Sequence, residues 1–177
     1  MGTCEHIRMM AEYNEWMNTR LYEAASTLPA GEVLADKGAF FGSLYGTLNH
    51  ILLADLMWLK RLSSHPASHP ALASIRAAPA PTTYDDREGD FGQLRERRAA
   101  LDTLIREWAG QLAESDLGHV VKYNNVKGVP FSRPFSALVM HFFNHQTHHR
   151  GQATALLSQF GVDMGSTDLL VLIPELP

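Results

Sequence analysis

Residues 135–160 read FSALVMHFFNHQTHHRGQATALLSQF, and their spacing decides the fold. Phe135, Leu138, Phe142, His145, His149, Gln152, Leu156 and Phe160 recur at intervals of three and four, the period of one helix face. Pro134 precedes the segment and Gly161 closes it, in the position glycine favours after a helix. Two slots of this apolar stripe hold histidine. His145 and His149 are four apart, so their rings stand one above the other on the same face. Burying two unsatisfied imidazoles is costly. One cation, held by each at about 2.0–2.1 Å, would satisfy both.

Two ligands are too few, so a facing helix must supply a third; Asp, Glu or His would serve. Residues 43–62 form a second helical segment. Ser43 is a good N-cap residue, and the main stripe is Leu44, Leu48, Ile51, Asp55, Trp58 and Leu62. His50 lies beside that stripe, in line with Thr47, Ala54 and Met57, whose small or flexible side chains leave an imidazole room to turn inward. His50 is the natural partner. His141, one turn before His145, is a candidate fourth ligand or a group supporting the ligands from behind; His148 points further round. Three imidazoles with a vacant position describe a catalytic type of site rather than a closed one. The donors suit zinc, nickel, iron or copper, and disfavour magnesium and calcium. Asn14 and Gln152, polar groups in apolar stripes, are candidates to orient the ligands or a substrate, or to pair inside the bundle.

Outward from these segments the chain continues as helices. Ile7, Met10, Asn14, Met17, Leu21, Ala24 and Leu28 mark a first helix over about 3–28, stopped at Pro29-Ala30-Gly31. Leu94, Leu101, Ile105, Trp108 and Leu112 mark a third over about 86–113, with an almost wholly apolar stripe. The second helix is apolar nearly all round, which calls for cover on several sides and suggests a second subunit. Residues 63–84 hold four prolines and little pattern, so they read as a long loop, with His65 and His69 as ordinary loop residues. Residues 120–131 suggest two short strands around a polar turn. The apolar tail, 169–173, is expected to pack back on the bundle. The fold class is therefore all-α, a single four-helix-bundle domain over 1–177 with a small β-hairpin before the last helix.

Composition excludes several classes. The net charge of −4 argues against nucleic acid, and Lys60, Arg61, Arg95, Arg97 and Arg98, sitting among acids, read as solvated helix faces. No apolar run approaches the ~20 residues of a membrane span. Cys4 is the lone cysteine and reads as a small residue of the first helix; with no signal-like start, this fits a cytoplasmic protein.

Two stretches resemble the DinB family of helical-bundle metalloproteins (DinB/YfiT-like metalloenzymes). Tyr13-Asn14-Glu15-Trp16-Met17-Asn18-Thr19-Arg20-Leu21 is similar to the family's Tyr-Asn-x-Trp-x-Asn-x-x-Leu pattern. Asn144-His145-Gln146-Thr147-His148-His149-Arg150-Gly151-Gln152 is similar to its Asn-His-x-x-x-His-Arg-Gly-Gln signature. Leu48-Asn49-His50-Ile51-Leu52-Leu53-Ala54-Asp55 also fits. The resemblance implies a bundle with a long crossover connection, a homodimer, and a three-histidine metal site carried onto His50, His145 and His149. It does not imply DNA binding. It is consistent with an enzyme in which zinc or nickel activates a low-molecular-weight thiol (bacillithiol, mycothiol or glutathione) for transfer to an electrophile, with the 63–84 loop as a candidate roof over the site. A metal-dependent hydrolase is the alternative, though no Glu adjoins the histidine pair as in H-E-x-x-H, and Glu12 or Glu15 would have to act as base. A non-enzymatic, metal-binding stress-response protein with a closed site is the third reading.

Overall fold

The computed structural model describes residues 2–79, 81, 83 and 89–175. Four long helices form the bundle: α1 (Thr3–Ser26), α3 (Leu44–Leu62), α5 (Phe91–Gln111) and α6 (Phe135–Gln159). Two short ones lie in the connections, α2 (Ala30–Leu34) and α4 (Ala73–Ala77). β1 (Val120–Asn124) and β2 (Pro130–Pro134) pair antiparallel, with Tyr123 opposite Phe131. α1 packs against α5 and α6, and α3 packs against α6.

The ends are set locally. Ser43 caps α3, its Oγ accepting from the Gly46 N–H at 3.0 Å. Asp90 and Gln93 cap each other's backbone at the start of α5; the sequence placed that start near Asp86, in residues outside those described. Gly161 takes φ +76 beyond α6, where a side chain would be strained. Glu114 Oε1 accepts from the Cys4 N–H, tying the start of α1 to a 3-10 turn at Glu114–Gly118. Cys4 itself is buried, and burial, helped by Glu114, pushes its thiol up, which makes it unreactive.

The core lies between the long helices. Trp108 is fully buried, with Phe135 and Phe142 edge-on at 6.3 and 6.1 Å. Burying each such side chain contributes about 1.5–3 kcal/mol. α3 is buried nearly all round, as its sequence required, but its cover comes from the same chain: α6, α2, α4, α5 and β1. The apolar surface that suggested a second subunit is thus used within the fold.

Three expectations need correction. Arg98 is not on a solvated face, and the third helix does not bury an apolar stripe alone. Arg98 and Asp102 of α5 are both buried, together with Asp55 of α3. Arg98 Nη1 stands 2.6 Å from Asp55 Oδ2, and Nη2 stands 2.8 Å from Asp102 Oδ1. Asp102 also accepts from Asn14 and Asn18 of α1, at 2.9 Å each. Arg150 of α6 donates to Asn14 Oδ1. Burial brings the Arg150 guanidinium down to about 10, which still leaves it charged at neutral pH. Two cations and two carboxylates from three helices, with the amides of the fourth, therefore meet in the centre. Second, the described part of 63–84 is no patternless loop. It holds a 3-10 turn, Pro70–Leu72, and α4, and it buries Leu72, His65 and His69. Third, the tail folds as a 3-10 turn, Leu169–Leu172, beside α1, but leaves Leu170 (72%) and Val171 (54%) exposed.

Surface pairs contribute less. Arg106 Nη1 meets Glu15 Oε2 at 2.7 Å, but both side chains are substantially exposed. Arg106→Ala is expected to lower stability by no more than about 1 kcal/mol in urea unfolding, because solvent screens such a pair.

Candidate metal centre

α3 presents His50, and α6 presents His145 and His149 one turn apart. The ring centroids stand 5.4 Å (His50–His145), 4.7 Å (His50–His149) and 4.4 Å (His145–His149) from one another. Each offers a donor nitrogen, and the three donors all lie within 4.8 Å of one another. The sequence's three expected ligands thus converge on one point. Nε2 of His145 and Nε2 of His149 are 3.1 Å apart. Two nitrogens held at about 2.0–2.1 Å on one tetrahedral ion stand roughly 3.3 Å apart, so this spacing fits a shared cation.

Protonation agrees with that use. His149 Nδ1 donates to Gln152 Oε1 at 2.7 Å, which fixes its tautomer and leaves the Nε2 lone pair directed at the cluster. Burial, and then the neighbouring His149 and His50 rings, push His145 down to about 3. Burial also lowers His149, against the opposing effect of its hydrogen bond to Gln152 Oε1. Both rings are therefore neutral at physiological pH, the form a metal requires. Nδ1 of His145 is buried without a hydrogen-bond partner, so this pair is not a self-satisfied polar cluster. The residues present fit a divalent transition metal.

One wall of the site was not foreseen. Phe41, in the connection before α3, stacks on His50 at 4.0 Å and meets His149 edge-on at 5.4 Å. Its place depends on Gly46, since a Cβ there would stand 2.1 Å from the Phe41 carbonyl oxygen. Gly46→Ala must displace backbone rather than a flexible side chain. It is expected to lower stability by about 1–3 kcal/mol and to weaken metal binding, read by thermal denaturation and zinc titration on one sample.

The remaining candidates divide. Gln152 is in place behind His149. Gln152→Ala is expected to weaken metal affinity by about 10–100-fold, the usual cost of losing the group that orients a ligand. Competition with a chromophoric chelator would measure it. Asn14 is elsewhere: its hydrogen bonds go to Asp102 and Arg150, so it reaches α6 through the residue following His149. His141 is exposed, packed edge-on to Trp58 at 4.8 Å, with its ring 5.8 Å from that of His145. His148 is exposed on the far side of His149. The described part of the 63–84 loop packs on the end of α3, where Lys60 donates to the main-chain oxygens of Ile75 and Arg76. It starts at the C-terminus of α3, about 18 Å along that helix from His50.

A DinB family model matches residues 1–175. This chain belongs to the DinB family. It is 28% identical over 159 residues to Protein DinB of Bacillus subtilis, covering 89% of this chain and 87% of that one. Its fold is similar to the crystal structure of a DinB-like protein from Bacillus cereus, with a TM-score of 0.55 and 20% identity over 85% of this chain and 89% of the other. The DinB fold here is the helical bundle with its small antiparallel hairpin. The histidines on α3 and α6 make a group that could hold a metal ion. Among the described residues, no helix is long and apolar enough to cross a membrane.

Proposed function

We propose that this DinB-family chain is a metal-dependent enzyme that binds a low-molecular-weight thiol at the His50–His145–His149 centre and transfers it to an electrophile. Zinc or nickel is the metal the three imidazoles suit best. The observation that carries the reading is an all-imidazole donor set that is open on one side: His145 and His149 are only half-buried, and the group at this centre that could hold an ion, among the described residues, is His50, His145 and His149. A bound divalent ion would serve there as a Lewis acid, favouring the deprotonated form of a thiol. The chain's own residues do the rest. Gln152 holds the His149 ring. Phe41 screens one side of His50 and His149 from water and offers an apolar wall to a substrate.

Hydrolysis is less well supported. It wants a general base beside the nucleophile, and the carboxylates considered for that work lie elsewhere. Glu15 is paired with Arg106 of α5, and Glu12 is exposed. A closed metal-storage site fits poorly with two half-buried ligands.

The test is spectroscopic. The protein is loaded with cobalt and titrated with a small thiol such as glutathione. New absorption in the sulfur-to-cobalt charge-transfer region, absent when a non-thiol analogue is added, is the expected result. An unchanged spectrum at saturating thiol would rule out this reading and leave a metal site without thiol chemistry.

A further inference from the structure

Two buried histidines lie outside the metal centre. His65 and His69 follow the C-terminus of α3 and are 5% and 4% exposed. Opposite them is Asp116, in the 3-10 turn Glu114–Gly118. His69 Nε2 stands 3.1 Å from Asp116 Oδ2, and His65 Nε2 stands 3.2 Å from the Asp116 main-chain oxygen. The three residues offer donor atoms that all lie within 4.8 Å of one another. His119, half-buried, places its ring edge-on to His65 at 4.7 Å.

We propose that His65, His69 and Asp116 form a second divalent-cation site, of the kind zinc occupies, which ties the crossover after α3 to the turn before the hairpin. Two imidazoles and a carboxylate are a common zinc donor set. The 3.1 Å between His69 Nε2 and Asp116 Oδ2 fits neighbouring ligands on one ion, roughly 3.3 Å apart for tetrahedral bonds of 2.0–2.1 Å. Asp116 Oδ2 also accepts the Ala113 N–H at 2.9 Å, which orients it as a ligand carboxylate is oriented.

Nδ1 of His69 is buried without a partner, so the cluster's own hydrogen bonds hold that ring only at Nε2. His65 Nδ1 accepts from the Ala67 N–H at 3.1 Å, so its proton sits on Nε2, against the Asp116 main-chain oxygen. On loading, both rings would present Nε2 to the cation, and His65 would carry its proton on Nδ1 instead. The contact from Ala67 is given up. The carboxylate offsets part of the cation's charge. The ligands come from a loop and a turn rather than from long helices. The cation would therefore brace the part of the fold with the least helical support.

The test removes the first centre and asks whether a site survives. A chain carrying His50→Ala, His145→Ala and His149→Ala is stripped with chelator, equilibrated with zinc, dialysed and counted by mass spectrometry. The expected result is one zinc per chain, with at least a tenfold loss of affinity on adding either His69→Gln or Asp116→Asn. The second variant keeps an oxygen for the Ala113 N–H. No retained zinc, or zinc that both substitutions leave in place, would overturn the proposal. If the triple variant does not fold, Asp116→Asn is counted in the otherwise unaltered chain. A drop of one ion per chain supports the site, and an unchanged count rejects it. Neither outcome bears on the thiol reading, which concerns the other centre.

Discussion

His149→Ala is expected to empty the metal centre while leaving the bundle folded. The substitution removes one of three converging donors and frees Gln152. The loss should exceed the roughly 10–100-fold that removal of an orienting group alone costs, so a chain purified with its ion should lose it on dialysis. The fold should persist, because His149 is only half-buried at the edge of α6, beside the fully packed line through Gln146, Arg150, Ala153 and Leu157. Metal-free stability should shift by less than about 1 kcal/mol, as for substitutions outside the core. His148→Ala, one residue away and exposed, should leave the metal content unchanged. Metal analysis and circular dichroism on the two variants decide it. Retention of the ion in His149→Ala at unaltered affinity would mean that the three rings do not share it.

Arg98→Ala should produce the largest loss of stability. Arg98 is 2% exposed and sits between two carboxylates that are 1% and 3% exposed. Truncation leaves Asp55 and Asp102 buried in each other's field, with Gln146 and Arg150 near Asp55 and the amides of Asn14 and Asn18 on Asp102 to offset part of their charge. Breaking a buried pair by removing one partner costs about 3–5 kcal/mol. For a domain of this size that is on the order of 10 °C in Tm. The contrast with Arg106→Ala is the informative part: the same residue type, at the surface, should cost several-fold less. Urea unfolding of both, compared at equal m-value, measures the difference. A cost for Arg98→Ala no greater than that for Arg106→Ala would show that the network is incidental to stability.

The two signature stretches have separate tasks in the structure. In Asn144–Gln152, His145, His149 and Gln152 belong to the candidate metal centre, while Arg150 turns into the bundle and donates to Asn14. In Tyr13–Leu21, Asn14 and Asn18 both serve Asp102. The N-terminal pattern therefore contributes to the polar bolt that joins the helices, and its Asn14 accepts from Arg150, the residue after His149. Sequence reasoning saw Asn14 as a polar interruption in an apolar stripe, which was the right signal. Its partner could not be named, because Asp102 lies 88 residues away.

The chain's local pattern determined the four long helices, the hairpin, and the stacking of His145 over His149. These depend on the 3.6-residue period, the two-residue alternation and nearby cap residues, all of which are written in neighbouring positions. Tertiary structure alone decided how the polar and charged positions on those helices are used. Arg98 looked solvated because a guanidinium among acids normally is; it is buried because Asp55, 43 residues earlier, meets it across the bundle. His65 and His69 looked like loop residues because prolines and alanines carry no period. They are buried because the crossover packs against α5 and the turn at Asp116. Phe41 beside His50, like the meeting of His50 with the pair on α6, follows from how elements cross. A local spacing places a side chain on its own helix; only the neighbouring helix determines whether that side chain meets water, a carboxylate or another histidine.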